Sequence, residues 1–337
     1  MLSYLHAFHA GNHADILKHA ALIQLIKKLN EKPAPYSFFD THAGSGLYST
    51  QGEKARKTGE AERGVLALEE YADKEAAQDL NGGSQQETDA SQRSGGGLPT
   101  ALADYLNFVR PYLARDLYPG SPLIERALLR GDCPHTICEL HPAEYESLKE
   151  NCARNFGLAT DTGAKTKNGP HTQILKQDGF KSLLALTPPK TKRGAALIDP
   201  SYEEASDYEA VSKTVIAVHK KWSAGIIMVW YPLLAHRAAE IEKMIESIKA
   251  AAKIQNANTN ILDARFCVDA QGSHTEMPLK ENAAANAAAN TAPRLYGSGV
   301  LVLNSPWKLD EELEAALKFL ARVPGLASAP SYSVELS

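Results

Sequence analysis

Apolar residues at Leu22, Leu25, Ile26 and Leu29 fall at i, i+3, i+4 and i+7, the spacing of one helical face. Asn12, followed three residues later by Asp15, supplies a capping signal ahead of them, so the pattern predicts a helix over about residues 13–30. Pro33 and Pro35 close it. Tyr36-Ser37-Phe38-Phe39-Asp40 is then a short aromatic run that stops at Gly44 and Gly46, as a buried strand entering a tight loop does. Further short apolar runs end in polar residues at Thr136 to Leu140, Gln173 to Leu175, Ala195 to Asp199, Gly225 to Tyr231, Ile261 to Val268 and Gly299 to Leu303. Helical patterns separate most of them, which predicts a doubly wound α/β fold with a mostly parallel sheet covered on both faces. No long amphipathic helix separates the last two runs, so they are expected to pair as an antiparallel end to the sheet.

One interval breaks this rhythm. Between Gly46 and the strand near Thr136 lie about 90 residues, where a βαβ unit needs only about 30. The flanks of the interval, Gly59 to Tyr71 and Ala101 to Leu113, read as helices. Its middle, Asp73 to Gly97, is rich in Gly, Ser, Gln and Asp, a composition that cannot bury a core. The expectation is a helical insertion over 49–129 with a flexible segment at 73–97, and a main domain made of 1–48 and 130–337. Similar biased tracts at Ala159 to Pro170, Ile254 to Asn260 and Asn282 to Pro293 read as loop expansions.

Composition narrows the class. The 337 residues suggest about two domains, or one large domain with an insertion. A hydrophobic share of 44% and a charged share of 23% are those of a folded globular chain. Lys and Arg number 36 against 40 Asp and Glu, a net charge of −4, so any contact with nucleic acid has to be local. The longest apolar stretch, Gly225 to Ala235, is far short of the roughly 20 residues that span a bilayer. No signal peptide is recognisable, and Cys133, Cys138, Cys152 and Cys267 contain no C-x-x-C pair. The expectation is a cytoplasmic protein with reduced thiols and no membrane partner.

Four acids stand at or just after predicted strand ends. Asp199-Pro200-Ser201-Tyr202 lies where open α/β sheets bind ligands. The Asp199 carboxylate and the Pro200 carbonyl could accept the two N–H bonds of an exocyclic amine and hold it near an electrophilic methyl, while Tyr202 stacks on the base. Read alone, the four residues are equally a strand end and an ordinary turn. Asp40-Thr41-His42-Ala43-Gly44-Ser45-Gly46 brings backbone close to a ligand without the third glycine of a dinucleotide fingerprint. With Glu139 placed for ribose hydroxyls and Asp178-Gly179 for a base amino group, the set fits S-adenosylmethionine better than a dinucleotide. Five of the eleven histidines, His6, His9, His13, His19 and His42, precede residue 43. Their spacing suits a metal, but no cysteine or carboxylate co-ligand is obvious, and the alternative is a ligand and RNA surface with Tyr4 and Phe8 as stacking faces. Lys18, Lys27, Lys28, Lys54, Arg56, Lys57 and Arg63 gather near the start of the insertion, either as a solvated face or as a phosphate-contact patch bordering Asp199.

These motifs together resemble the ribosomal RNA large subunit methyltransferase J family. The resemblance is carried by Met1-Leu2-Ser3-Tyr4, His9-Ala10-Gly11-Asn12-His13-Ala14-Asp15, Leu17-Lys18-His19 and Asp40-Thr41-His42-Ala43-Gly44. It continues through Tyr118-Pro119-Gly120-Ser121-Pro122, Glu139-Leu140-His141-Pro142, Asp178-Gly179-Phe180, Trp230-Tyr231-Pro232 and Pro306-Trp307-Lys308-Leu309. It implies a class I S-adenosylmethionine-dependent methyltransferase, Rossmann-like, with an antiparallel final strand and a helical insertion. The implied activity is methylation of adenine N6 in 23S rRNA, free or in an assembly precursor, by a monomer. By motif, His19, His42, Ser121, Glu139, Asp178 and Gly179 would bind the cofactor, and Asp199 would orient the amine. Tyr4, Lys18, Pro200 and Tyr202 would meet the substrate, with no metal. Ser201 stands where the family has a second proline, which implies a less rigid loop and an altered rate. A DNA adenine N6-methyltransferase shares this acceptor chemistry, and a metal-dependent hydrolase using the N-terminal histidines is the rival from another class.

Overall fold

The computed structural model describes residues 9–52, 58–81, 97–156, 171–271 and 295–337. Helix α1 (His13–Asn30) begins where the capping signal places it: the Asn12 side chain accepts the N–H groups of Ala14 and Asp15, both at 3.0 Å. The Asp15 carboxylate reaches back one residue beyond the cap, to the Gly11 N–H at 2.9 Å. The single apolar face understates the burial, because Ile16 through Ile26 are all buried. Such a helix must be covered all round. The sheet lies on one side, and on the other lie α2 (Ala67–Asn81), α3 (Thr100–Leu113) and α9 (Leu309–Leu320), the last near the C-terminus.

The main sheet uses β1 (Ser37–Asp40), β4 (Pro134–Cys138), β5 (His171–Leu175), β6 (Gly194–Ile198), β7 (Ile226–Leu234), β8 (Ile261–Cys267), β9 (Leu295–Leu303) and β10 (Ser331–Leu336). Its order is β10-β8-β9-β7-β6-β1-β4-β5. Strands β7, β6, β1, β4 and β5 run parallel, and the β7–β9, β9–β8 and β8–β10 pairs are antiparallel. This is the mostly parallel sheet with an antiparallel end that the pattern predicts. Every residue of β1 and β6 is buried, and β6, Gly-Ala-Ala-Leu-Ile, reads as an unbroken run without a charge. The order reverses between β1 and β6, so the crevice of a doubly wound sheet opens between their carboxyl ends. Asp40 and Asp199 stand there.

Helices α4 (Ser121–Leu128), α5 (Pro142–Phe156), α6 (Gly179–Leu186), α7 (Ala205–Lys221) and α8 (Ala238–Gln255) complete the layers. A second sheet pairs β2 (Leu47–Ser49) with β3 (Leu117–Pro119) and closes the base of the inserted stretch. Beyond it, α4 delivers Ser121 to Asp40, so this part of the span expected to be insertion serves the main body. The inserted helices share its core too: Leu102, Tyr105, Leu106 and Val109 lie in one buried cluster with α1 and the sheet. Asp73 to Asn81, expected to be flexible, continues α2, where Ala76 and Ala77 favour helix and Asp73 pairs with Arg110 of α3. The rest of that segment up to 96 and all of Ala159–Pro170 and Asn282–Pro293 lie outside the described residues. Among the described residues no helix is long and apolar enough to cross a membrane.

Candidate active site

The site is built from β6 outward. After Ile198, the chain turns through Asp199-Pro200-Ser201-Tyr202, with Tyr202 at φ +53°, a left-handed conformation that costs a side-chain-bearing residue about 1–2 kcal/mol. Burial of the ring offsets that strain. Tyr202 is 3% exposed, packs against Tyr208 with ring centroids 4.8 Å apart, and its hydroxyl donates to the Trp230 carbonyl at 2.8 Å. The expectation that Tyr202 offers an open stacking face is therefore corrected: the ring anchors the turn from below.

Lys18 needs a larger correction. It is buried, and its Nζ lies 2.7 Å from Asp199 Oδ2 and 3.0 Å from Asp15 Oδ1. Burial alone would lower the ammonium pKa, but the carboxylates of Asp15 and Asp199 outweigh it and hold the group above its ordinary value. Lys18 is thus a charged partner of Asp199 inside the protein and no phosphate contact. The remaining basic cluster dissolves likewise: Lys27 pairs with Asp104, Lys28 lies 3.4 Å from Glu31 and 3.3 Å from Glu312, and Arg63 donates to the Thr58 carbonyl. Lys54, Arg56 and Lys57 lie outside the described residues.

At the end of β1, Asp40 is 1% exposed and accepts the Ser121 hydroxyl at 2.8 Å and the His42 N–H at 3.0 Å. Burial, reinforced by the nearby Glu125 carboxyl, raises its pKa well above the ordinary carboxylate value. Glu139 follows β4. Its two oxygens accept the Gly44 N–H at 2.8 Å and the His141 N–H at 2.6 Å, and burial raises its pKa against those two bonds. Gly44, at φ +59°, has no room for a side chain, since a Cβ would stand 2.3 Å from the Tyr48 hydroxyl. The glycine loop and Glu139 are one unit.

Asp178 caps α6 through the Lys181 N–H at 3.1 Å. Gly179 lies against the first loop, where a Cβ would sit 2.0 Å from the Thr41 carbonyl oxygen. His42 packs edge-on to Phe180 at 4.8 Å and is pushed down to about 4 by burial, so it is neutral at pH 7. His42, Ser121, Glu139, Asp178 and Gly179 therefore frame one crevice with Asp199 across the sheet reversal. His19 does not join the rim: it is fully buried, with Nδ1 2.9 Å from the Tyr118 hydroxyl. Tyr4 and His6 lie outside the described residues. His9 and His13 do not converge on a metal position: His9 Nδ1 meets Glu60 at 2.8 Å, and Glu60 also accepts from Asn12 at 2.8 Å. Among the described residues no group of three or more His, Cys, Asp or Glu side chains could hold a metal.

Two functional partners were missed. Asp15 was read only as a capping residue, although its i, i+3 spacing to Lys18 was visible; nothing local signals that Lys18 meets Asp199, 181 positions on. Glu60, in a stretch read as the helical start of the insertion, clamps the N-terminal segment.

A family model described as "Ribosomal RNA large subunit methyltransferase D, RlmJ" matches residues 33–82 and 80–335. A protein named Ribosomal RNA large subunit methyltransferase J from Escherichia coli (strain K12) is 32% identical over 323 residues, covering 95% of this chain and 93% of the relative. One of the same name from Haemophilus influenzae is 30% identical over 342 residues, covering 99% and 98%. The crystal structure of protein LPL1258 from Legionella pneumophila superposes with a TM-score of 0.70 at 23% identity, covering 97% of this chain and 98% of that one, and supports the fold.

Proposed function

The chain belongs to the ribosomal RNA large subunit methyltransferase J family, and on that premise we propose that it transfers a methyl group from S-adenosylmethionine to N6 of an adenine in 23S rRNA. The observation that carries the reading is the Lys18–Asp199 pair at the sheet reversal. An exocyclic amine is a poor nucleophile because its lone pair is delocalised into the ring. It needs acceptors for its N–H groups in fixed positions. Lys18 takes Asp199 Oδ2, which leaves Oδ1 to accept one N6–H, with the Pro200 carbonyl as acceptor for the other.

The donor set fits the cofactor's chemistry. In this reading Glu139 accepts the ribose hydroxyls and Asp178 the adenine amino group, while the glycines at 44 and 179 let the first loop pack against Tyr48 and against the start of α6. Asp40, held by Ser121 and His42, supports the loop between them. When bound, the cofactor supplies a sulfonium-activated methyl group. Asp199 Oδ1 and the Pro200 carbonyl would hold N6 against that methyl, and the surplus N6 proton would pass to solvent water. The adenine has to be unpaired or flipped out, since N6 is otherwise committed to pairing.

Of the rivals, the hydrolase reading is not favoured, since the matching family and relatives are methyltransferases and no group of His, Cys, Asp or Glu among the described residues could hold a metal. The DNA reading is tested by offering labelled cofactor with protein-free 23S rRNA or with duplex DNA. Label in N6-methyladenosine from 23S rRNA is expected; label in DNA alone would overturn the choice of polymer.

A further inference from the structure

We propose that the amino ends of the parallel strands, opposite the crevice, form a second RNA-backbone contact that grips ribosomal RNA outside the target segment. The choice of polymer rests on the RNA-methylating reading above. The observation is a row of cations just ahead of β4, β1, β6 and β7, four strands adjacent in the sheet, on loops before the first three and on the last turn of α7 before the fourth. Arg130 precedes β4, Lys32 precedes β1, Lys192 and Arg193 precede β6, and Lys220 and Lys221 precede β7. At about 4.8 Å per strand, the row extends about 15 Å, long enough to meet successive phosphates of one strand. β6 has five residues, so the row stands about 17 Å from the crevice end of the sheet.

These cations differ in kind from the basic residues near the N-terminus. Lys27 and Lys28 are committed to carboxylates. Lys32, Lys192 and Lys220 are exposed and make no ion pair among the described residues, and Lys221 donates only to the Leu184 carbonyl. The two arginines are held in place. Arg193 gives two N–H groups to Ala34 and Leu29 carbonyls at 2.9 and 2.6 Å, and Arg130 gives two to Lys32 and Ala34 carbonyls at 2.8 and 3.1 Å. Both guanidiniums flank the Tyr36 ring, at 5.1 and 5.4 Å from its centroid. Fixing two like charges side by side is unfavourable unless an anion neutralises them. Asp132 answers only Arg130.

A polyanion with discrete phosphates matches fixed, planar, partly spent guanidiniums and a line of free ammonium groups. An anionic bilayer is instead bound through an amphipathic helix with an apolar face beside its cations, whereas this row lies on loops and on the end of α7, whose apolar residues Tyr208, Val211, Val215 and Val218 are buried in the core. The crevice supports the same division of labour. Its carboxylates suit an amine, a ribose and a sulfonium, and they repel phosphate. In a chain with a net charge of −4, the backbone of a long RNA has to be held elsewhere.

The test replaces Lys32, Lys192, Lys220 and Lys221 together with Glu in the full chain, with the matching Gln variant as a control for charge reversal. Retention of protein-free 23S rRNA is measured across a salt series, and methyl transfer is measured on the shortest RNA fragment that wild type methylates. Expected for the Glu variant are binding of 23S rRNA weakened at least about tenfold and a log K against log salt slope smaller by about 3, with the short-fragment rate changed less than about twofold. The Gln variant should lose the same slope with a smaller loss of affinity. Unchanged binding and slope would overturn the proposal while leaving methyl transfer intact. Equal losses on both RNAs would also overturn it, by placing these cations at the crevice. A wild type that methylates no RNA, yet binds 23S rRNA through these lysines, would overturn the proposed function and support the contact. Loss of binding to phosphatidylcholine–phosphatidylserine vesicles with RNA binding unchanged would assign the row to membrane and overturn the proposal.

Discussion

The two ends of the parallel strands carry opposite chemistry. At the carboxyl ends stand Asp40, Glu139, Asp178 and Asp199, each held by a named donor: Ser121, Gly44, Lys181 and Lys18. At the amino ends stand Lys32, Lys192 and Lys220, exposed and without a carboxylate among the described residues. The acids are fixed because their oxygens must stay aimed while a small target is placed among them. The cations need no such aim to attract a backbone whose phosphates repeat. On the proposed reading, the fixed acids stand where one atom would be recognised, and the exposed lysines where a polymer would be held.

Breaking the fixed end should have the largest effects. Lys18→Ala strands the buried Asp15 and the partly buried Asp199 carboxylates beside each other, so the unfolding free energy should fall by about 3 kcal/mol and methyl transfer by about a hundredfold. Denaturant titration and single-turnover kinetics measure the two losses, and a variant as stable and fast as the parent would remove Lys18 from the account. Gly179→Ala forces a Cβ into the Thr41 carbonyl and should cost about 2–3 kcal/mol in the same titration.

Sharper tests use smaller terms. His13 is pushed down to about 4 by burial, so the native state holds it neutral while the unfolded chain protonates it below its ordinary 6.5. Its contribution to stability is therefore fully present above pH 6.5 and is lost as the pH falls towards 4. His13→Asn removes that loss. Relative to the parent, the variant should gain about 1.4 kcal/mol per pH unit on acidification through this window; a difference independent of pH would show that burial does not shift His13. Tyr202→Phe removes only the hydroxyl bond to the Trp230 carbonyl and should cost about 1 kcal/mol, with a modest loss of rate if the Asp199 turn loosens.

The same contrast explains what the sequence reveals. Strands β6 and β7 were legible as short, mostly buried apolar runs and β1 by its paired phenylalanines, and Asp40 and Asp199 stand out at the ends of β1 and β6. Strand β10 was not, because Ser331–Leu336 is a half-polar edge that pairs on one side only. The three-residue β2 and β3 are too short for any period. Asp199 was legible as a motif, but its partner was not: a lysine on an N-terminal helix reads as a surface charge until the fold brings it to a carboxylate far along the chain. Tyr202 failed in the opposite sense. An aromatic after Asp-Pro looks like a stacking face, and only the position of the Trp230 carbonyl shows why its ring turns inward.

The central claim is that Asp199, aimed by Lys18, accepts the target amine. Asp199→Ala tests it most directly, with cofactor affinity by calorimetry and N6-methyladenosine in protein-free 23S rRNA by mass spectrometry measured on one preparation. The account predicts cofactor affinity within about threefold of wild type and methyl transfer reduced by about a thousandfold. An Asp199→Ala enzyme that methylates the same adenine at the wild-type rate would contradict it.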